Sequence, residues 1–351
     1  MRSPSPRLIE TRSKDMVALL SSPNAWLRET AARLLFERQD LHVVPALSTL
    51  AETGEFHLGR LHALYVLAGL NQLKPNHLLP AIRDERPVLR EHALKLAEDF
   101  LAKNDKGSSR LAEAVLSLGS DESPRVRFQL ALTLGLVELK GEVPVLLDVL
   151  GASNDSWIRA AVLNALSTRV NELFSHLGDP ASPIDVTEVV TLAHDLRGGG
   201  KSLNRLQGDA RRFLLGCAMT AADDVDHPSA KRLQAIGLLG ALDKKAASQP
   251  LLAFLDSNTT SLRDGAVAEL VRLQPEGLSR RLLDRWKSLS AISRDEAIGF
   301  LLVENERITA LLDGMEKGLV AVSDLPAVRL AALRKLKDNT LRKRAVALIG
   351  P

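Results

Sequence analysis

The stretch Leu20-Ser21-Ser22-Pro23-Asn24-Ala25-Trp26-Leu27-Arg28-Glu29-Thr30-Ala31-Ala32-Arg33-Leu34-Leu35-Phe36-Glu37-Arg38 holds a pattern that the rest of the chain repeats. A turn rich in Ser, Pro and Asn leads into a helix with an arginine near its start and a small residue three places later. The pattern returns as Leu58-Gly59-Arg60-Leu61-His62-Ala63, Val88-Leu89-Arg90-Glu91-His92-Ala93, Arg125-Val126-Arg127-Phe128-Gln129-Leu130 and Trp157-Ile158-Arg159-Ala160-Ala161. Later copies are Ser261-Leu262-Arg263-Asp264-Gly265-Ala266 and Thr340-Leu341-Arg342-Lys343-Arg344-Ala345. Arginines 28, 60, 90, 127 and 159 are separated by 32, 30, 37 and 32 residues. The interval from Arg159 to Arg263 fits three further units, with Arg232 as a member between them. A period of this size is one helix–turn–helix unit.

Each unit also has a first helix. Val43, Leu47 and Leu50 fall on one face of such a helix, and Leu61, Leu64, Tyr65 and Ala68 do the same on the second helix of that unit. These are the spacings of an amphipathic helix. One pair cannot shield both its apolar faces, so pairs must stack. Pro23, Pro75, Pro87 and Pro124 stand at or near helix starts, where a missing N–H costs little. Ser22, Asp84 and Asp121 precede second helices and can cap them. Sustained period-two runs bounded by turns are missing from the sequence. The fold class expected is therefore all-α: an α-solenoid, or α-α superhelix, of stacked helix pairs.

The organisation expected is a flexible tail over 1–12, N-terminal repeats over 13–176, an irregular unit or hinge over 177–207, and C-terminal repeats over 208–351. Within the irregular unit, Gly178-Asp179-Pro180-Ala181-Ser182-Pro183 and Arg197-Gly198-Gly199-Gly200-Lys201-Ser202 read as loops, with a short helix from Val186 to Leu196 between them.

Composition narrows the function classes. Hydrophobic residues make up 45% of the 351, but aromatic residues only 3%, so Leu, Ala and Val fill the core, as suits helices packed at close range. The 46 basic and 43 acidic residues leave a net charge of +3, short of the surplus with which a protein neutralises many phosphates. Cys217, the single cysteine, excludes an internal disulfide, a multi-cysteine zinc site and a Cys-x-x-Cys-His haem attachment. It lies in the apolar stretch Phe213 to Met219 and reads as a buried small hydrophobe. Apolar runs of eighteen residues do not occur. Met1 to Lys14 lacks the apolar core of a secretion signal, so the sequence as written reads as cytoplasmic.

The unit length is at the short end of the HEAT-repeat range. The stretches Leu20–Arg38, Arg60-Leu61-His62-Ala63-Leu64-Tyr65-Val66-Leu67, Arg90-Glu91-His92-Ala93 and Arg127-Phe128-Gln129-Leu130-Ala131-Leu132-Thr133-Leu134-Gly135 resemble a particular HEAT-repeat segment. It belongs to large bacterial proteins of planctomycetes and their relatives. In those proteins a β-propeller of the membrane-bound dehydrogenase type precedes the segment and a c-type cytochrome domain follows it. The resemblance covers most of the chain and is strongest from Ser13 to about Gly151; Val328 to Gly350 is similar to the last helices before the cytochrome. It implies a chain lying between propeller and haem domain, carrying the scaffold role but neither redox site, with cytochrome-like or propeller-like partners or adjoining domains. A full-length parent would then be exported or periplasmic.

Candidate partner-binding residues are the arginines and the polar residues two places after them: Arg28, Arg60, His62, Arg90, His92, Arg127 and Gln129. Asp84 and Asp121 stand six places before Arg90 and Arg127, as Ser22 and Ser257 do before Arg28 and Arg263, and in HEAT-like stacks such residues bond within and between units. The competing reading is an anion-binding stripe. Thr30, His62, His92 and Gln129 form a polar line across four second helices. His62 and His92 lack a third metal ligand at suitable spacing, so no metal is assigned. Gly200-Lys201-Ser202 has Asp195 where a phosphate-binding loop needs glycine, and reads as a flexible loop. Trp26, Trp157 and Trp286 read as packing residues. Arg329, Arg334, Lys335, Lys337, Arg342, Lys343 and Arg344 face only Asp338, so any nucleic-acid grip would be confined to that end. Neither a nucleophile elbow nor a Ser-His-Asp order can be read, and no catalytic or cofactor-binding residue is assigned. The leading expectation is a non-catalytic scaffold for protein–protein or interdomain docking. A nucleic-acid-binding protein like the HEAT-like DNA glycosylases is the alternative, and a HEAT-like lyase acting on a tetrapyrrole the third.

Overall fold

The computed structural model describes residues 8–103, 108–179, 185–198 and 202–350. Those residues form α-helices and short 3-10 turns, with no strand among them, so the fold is an all-α solenoid of helix pairs. Two compact units divide the chain, Met1–Arg169 and Val170–Pro351.

The first unit runs α1 (Ser13–Leu19), α2 (Ala25–Arg38), α3 (Val44–Thr53), α4 (His57–Gly69), α5 (Pro75–Ile82), α6 (Pro87–Lys103), α7 (Ser109–Leu116), α8 (Pro124–Leu136), α9 (Glu142–Gly151) and α10 (Ser156–Leu166). Successive helices pair, and the even-numbered second helices form a continuous row in which each packs on the next. That row is why the second helices are buried on two sides. In α4, Ala63, Leu64, Val66 and Leu67 are core, whereas Tyr65 is exposed and Leu61 and Ala68 are half-buried. The face expected from spacing alone was therefore rotated: it marked Leu64 correctly but placed Tyr65 inside.

Prolines begin α5, α6 and α8, as their fixed φ favours. The capping expectation needs correction. Asn24, not Ser22, caps α2, accepting from the backbone N–H groups of Trp26 and Leu27. Asp155 caps α10 in the same way. Asp84 and Asp121 instead brace the turns, their carboxylates accepting from the N–H of Arg86 and Ser123 two residues on. The tail expectation covers residues 1–7, which lie outside the described residues, and 8–12, which are held. Leu8 is buried, and Arg38 donates to the carbonyls of Ile9 and Thr11.

The second unit runs α11 (Val170–Leu177), α12 (Val186–Gly198), α13 (Gly208–Asp223), α14 (Ser229–Leu242), α15 (Lys244–Phe254), α16 (Thr260–Leu273), α17 (Leu278–Asp284), α18 (Ala291–Leu301), α19 (Asn305–Glu316), α20 (Ala327–Arg334) and α21 (Asn339–Ile349). Here α12, α14, α16 and α18 make the row of second helices, and α21 packs on α19 and α20. Helix α12 matches the helix expected from Val186 and extends two residues past Leu196. Its buried Val189, Val190, Ala193 and Leu196 pack it against α13 and α14. Residues 180–184 and 199–201, the centres of the two expected loops, lie outside the described residues.

Candidate interaction face

In several second helices the arginine near the start points back into the turn that precedes it. Arg28 donates through Nη1 to the carbonyl of Ser22 at 2.7 Å, Arg90 to that of Asp84 at 2.7 Å, and Arg127 to that of Asp121 at 2.6 Å. Arg263 does the same to Ser257. In each case the carbonyl lies six residues earlier. The guanidinium replaces water as partner for carbonyls that a tight interhelix turn leaves open.

Two arginines also tie one unit to the next. Arg60 Nη2 stands 2.6 Å from Asp84 Oδ2, with both side chains largely buried. Arg90 grips Asp121 with Nε and Nη2, at 2.6 and 2.8 Å. The fork of donors matches the carboxylate, which is the strong form of this bond. Asp84 thus receives Arg60 on its side chain and Arg90 on its carbonyl, and Asp121 receives Arg90 and Arg127 likewise. The result is one unbroken run, Arg60–Asp84–Arg90–Asp121–Arg127. Among the expected site residues, Arg60 and Arg90 are paired with carboxylates of the next unit and Arg127 with carbonyls of its own turn.

The polar line also turns inward. His92 Nδ1 is 2.7 Å from Tyr65 Oη, with the two rings edge to face. Gln129 Nε2 donates to Glu98 Oε1 at 3.1 Å, and Thr133 Oγ1 donates to the same oxygen at 2.8 Å. These bonds stitch α4 to α6 and α6 to α8. His62 and His92 do not share a partner. Burial pushes both histidines below the ordinary range, assisted by the charge of Arg28 at His62 and of Lys95 at His92. Among the described residues no three His, Cys, Asp or Glu side chains converge as a metal site would require.

Two of the three tryptophans expected to pack are exposed instead. Trp26 is 59% exposed and Trp157 is 74% exposed, whereas Trp286 is buried and donates through Nε1 to Asp324 at 2.9 Å. Phe36, Tyr65, Leu132 and Leu136 are also exposed, all on second helices of the first unit. The two tryptophans sit at the same register, two places before the ladder arginine, where the helix start aims a side chain away from the stack. Between them on the row of second helices lies a charged patch: Glu91, held by Lys95 at 2.9 Å and by Arg125 of α8 at 2.9 Å. The second-helix face of the first unit therefore alternates exposed aromatic and aliphatic side chains with fixed charges, the composition of a protein-binding surface.

The second unit repeats the ties with other residues. Arg294 donates to Asp324 at 2.9 Å, which lies 30 residues on, much as Asp121 lies 31 after Arg90. Thr187 and Lys231 link α12 to the α13–α14 turn and to α14 through His227 and Thr191. Most arginines of the basic C-terminal segment are spent internally. Arg344 binds Glu316 and Asp313, Arg329 binds Asp295, and Arg334 donates to the carbonyl of Gly350. This leaves mainly lysines to face solvent, which counts against a nucleic-acid grip. Cys217 is buried, and burial raises its thiol to about 11. Gly200 and Lys201 lie outside the described residues. No described helix is long and apolar enough to cross a membrane.

Residues 75–167, from the start of α5 to the end of α10, match the family model for HEAT repeats, so the chain carries a HEAT-repeat segment. No curated protein matches the chain. One similar solved structure is a chain of a "Homology model of the full-length AP-3 complex in an intermediate open conformation", at 13% identity and a TM-score of 0.43, covering 95% of this chain and 70% of that one.

Proposed function

We propose that this chain is a non-catalytic scaffold, and that it docks a protein partner or an adjoining domain on the second-helix face of its first unit. The observation that carries the reading is the division of labour on those helices. Arg60, Arg90, His92 and Gln129 bond to neighbouring units, while Trp26, Trp157, Phe36, Leu132 and Leu136 are left in water. Exposed aromatic side chains grouped on one face mark interaction sites, and Trp is among the residues most enriched at binding hot spots.

The partner class comes from the resemblance to segments that lie between a propeller and a haem domain. In this reading the chain spaces or docks a cytochrome-like or propeller-like domain, as the middle segment of a larger redox protein. The test is isothermal titration of the chain with a separately expressed c-type cytochrome domain and a propeller domain, each taken from a protein of the resembled kind. Binding of one of them, weakened at least tenfold by Trp26→Ala with Trp157→Ala, supports the proposal. Absence of binding by both, or affinity unchanged in the double variant, overturns it.

A further inference from the structure

The helix pair α20 and α21 and the segment leading into it carry a surface of unusual composition. From Leu319 to Arg334 the charged residues are Asp324, Arg329 and Arg334. Each is held by the protein itself. Asp324 accepts from Trp286 and Arg294, Arg329 pairs with Asp295, and Arg334 donates to the carbonyl of Gly350. What the segment presents to water is aliphatic. Leu319, Val322, Val328, Ala331 and Ala332 are exposed, Val328 at 78%. Val328, Ala331, Ala332 and Lys335 follow at steps of three, four and seven residues, which puts them on one face of α20. Apolar surface gathered in this way, without a free charge inside it, marks a contact site.

The aliphatic face ends at a cationic turn. Lys335 closes α20, Lys337 lies in the turn to α21, and Arg342 and Lys343 stand on the first turn of α21; all four are exposed. Arg344 takes the carboxylates of Asp313 and Glu316, and the four exposed cations form no ion pair among the described residues. Arg342 is fixed at the turn by the carbonyl of Leu336 at 3.3 Å and by Asn339 Oδ1 at 2.6 Å. Asp338 caps α21, accepting from the N–H groups of Thr340 and Leu341. Charge complementarity therefore asks for an anionic occupant, and the aliphatic face asks for one with an apolar interior. An anionic bilayer surface offers both. Duplex nucleic acid offers nothing to cover Val328. Docking of an acidic protein favours arginine forks and aromatic anchors. Here the free cations are mainly lysines, point charges on flexible stems, and no aromatic residue occurs from Leu319 to Pro351.

We propose that the α20–α21 pair docks peripherally on an anionic membrane surface, with Val328, Ala331 and Ala332 against the acyl boundary and Lys335, Lys337, Arg342 and Lys343 among the headgroups. This surface shares no residue with the face of the first unit, and its test does not involve Trp26 or Trp157.

The experiment is co-sedimentation of the intact chain with phosphatidylcholine vesicles, pure or carrying one-third phosphatidylglycerol, at low and at raised salt. The chain should bind the anionic vesicles at least tenfold more tightly than the neutral ones, and raised salt should release it. The triple variant Lys335→Gln, Lys337→Gln, Lys343→Gln should weaken that binding at least tenfold. Val328→Ser, which leaves the charge untouched, should weaken it about threefold. The triple Lys244→Gln, Lys245→Gln, Lys287→Gln removes as many exposed lysines elsewhere in the same unit and should have a much smaller effect. All the altered side chains are exposed, so folding does not depend on them. No binding to the anionic vesicles, equal losses in the two lysine triples, or no change in Val328→Ser would overturn the proposal. Equally tight binding of soluble poly-glutamate, lost in the same variants, would assign the surface to an acidic protein and overturn it too.

Discussion

The backbone N–H of Lys74 donates to Nδ1 of His77 across 3.1 Å, which fixes that ring nitrogen as an acceptor. A backbone N–H can only donate, so His77 is neutral here, with its proton on Nε2. The ring is buried, and burial holds its pKa below the ordinary value, with Lys74 adding to the effect and Glu52 opposing it. Protonation would set two donors face to face at the start of α5.

The sign of the pH dependence follows. His77 binds its proton more weakly folded than unfolded, so the unfolded chain takes up more protons as pH falls through about 6.5. The first unit should lose stability as pH drops from 7.5 towards the lowered native value, and His62 and His92, shifted the same way, should add to the loss. Urea unfolding at pH 7.5 and 5.5 measures it. The His77→Gln variant should show a smaller pH-dependent difference; an unchanged difference would refute the role given to this ring.

The three tryptophans should separate cleanly in stability. Trp26→Ala and Trp157→Ala remove exposed side chains and should each change unfolding free energy by less than about 0.5 kcal/mol. Trp286→Ala opens a cavity and removes one of the donors to Asp324, and should cost about 4 kcal/mol. Chemical denaturation of the three variants against the parent chain gives the ranking. Equal losses in all three would mean that Trp26 and Trp157 pack after all.

Cys217 should be chemically silent in the native state. Its thiol is buried and raised to about 11, so little thiolate exists at pH 7.5. Ellman's reagent should react slowly with the folded protein and rapidly in 6 M guanidinium. Rapid stoichiometric labelling under native conditions would show that α13 opens readily.

The fold was legible because its period is written in residues that do one job each. An arginine must stand at a fixed distance from the carbonyl it caps, so Arg28, Arg90, Arg127 and Arg263 recur in register with the turns, and the helix pairs could be counted from them. Exposure was not legible at Trp26, Trp157 and Tyr65, because a second helix is covered on two sides and its apolar pattern has no single face. A signal was present nonetheless. Trp26 and Trp157 precede a ladder arginine by two places, at the outward-facing helix start, whereas Trp286 precedes Arg294 by eight. The tie from Arg294 to Asp324 could also have been found from its spacing, but Arg294 lacks the flanking residues of the other copies. The contacts of Arg307 with Phe300 and Gln274 were beyond reach, since they form only where α18 and α19 pack at the end of α16.

A double-mutant cycle on Arg90 and Asp121, followed by urea unfolding, tests most directly whether the ladder arginines are internal ties. Both side chains are largely buried, and each single change to Ala leaves a charge without its partner. Each should cost about 3 kcal/mol, and the double variant should cost about 2 kcal/mol less than their sum. Losses that add to within about 0.5 kcal/mol would contradict the account and return these arginines to the candidates for binding a partner.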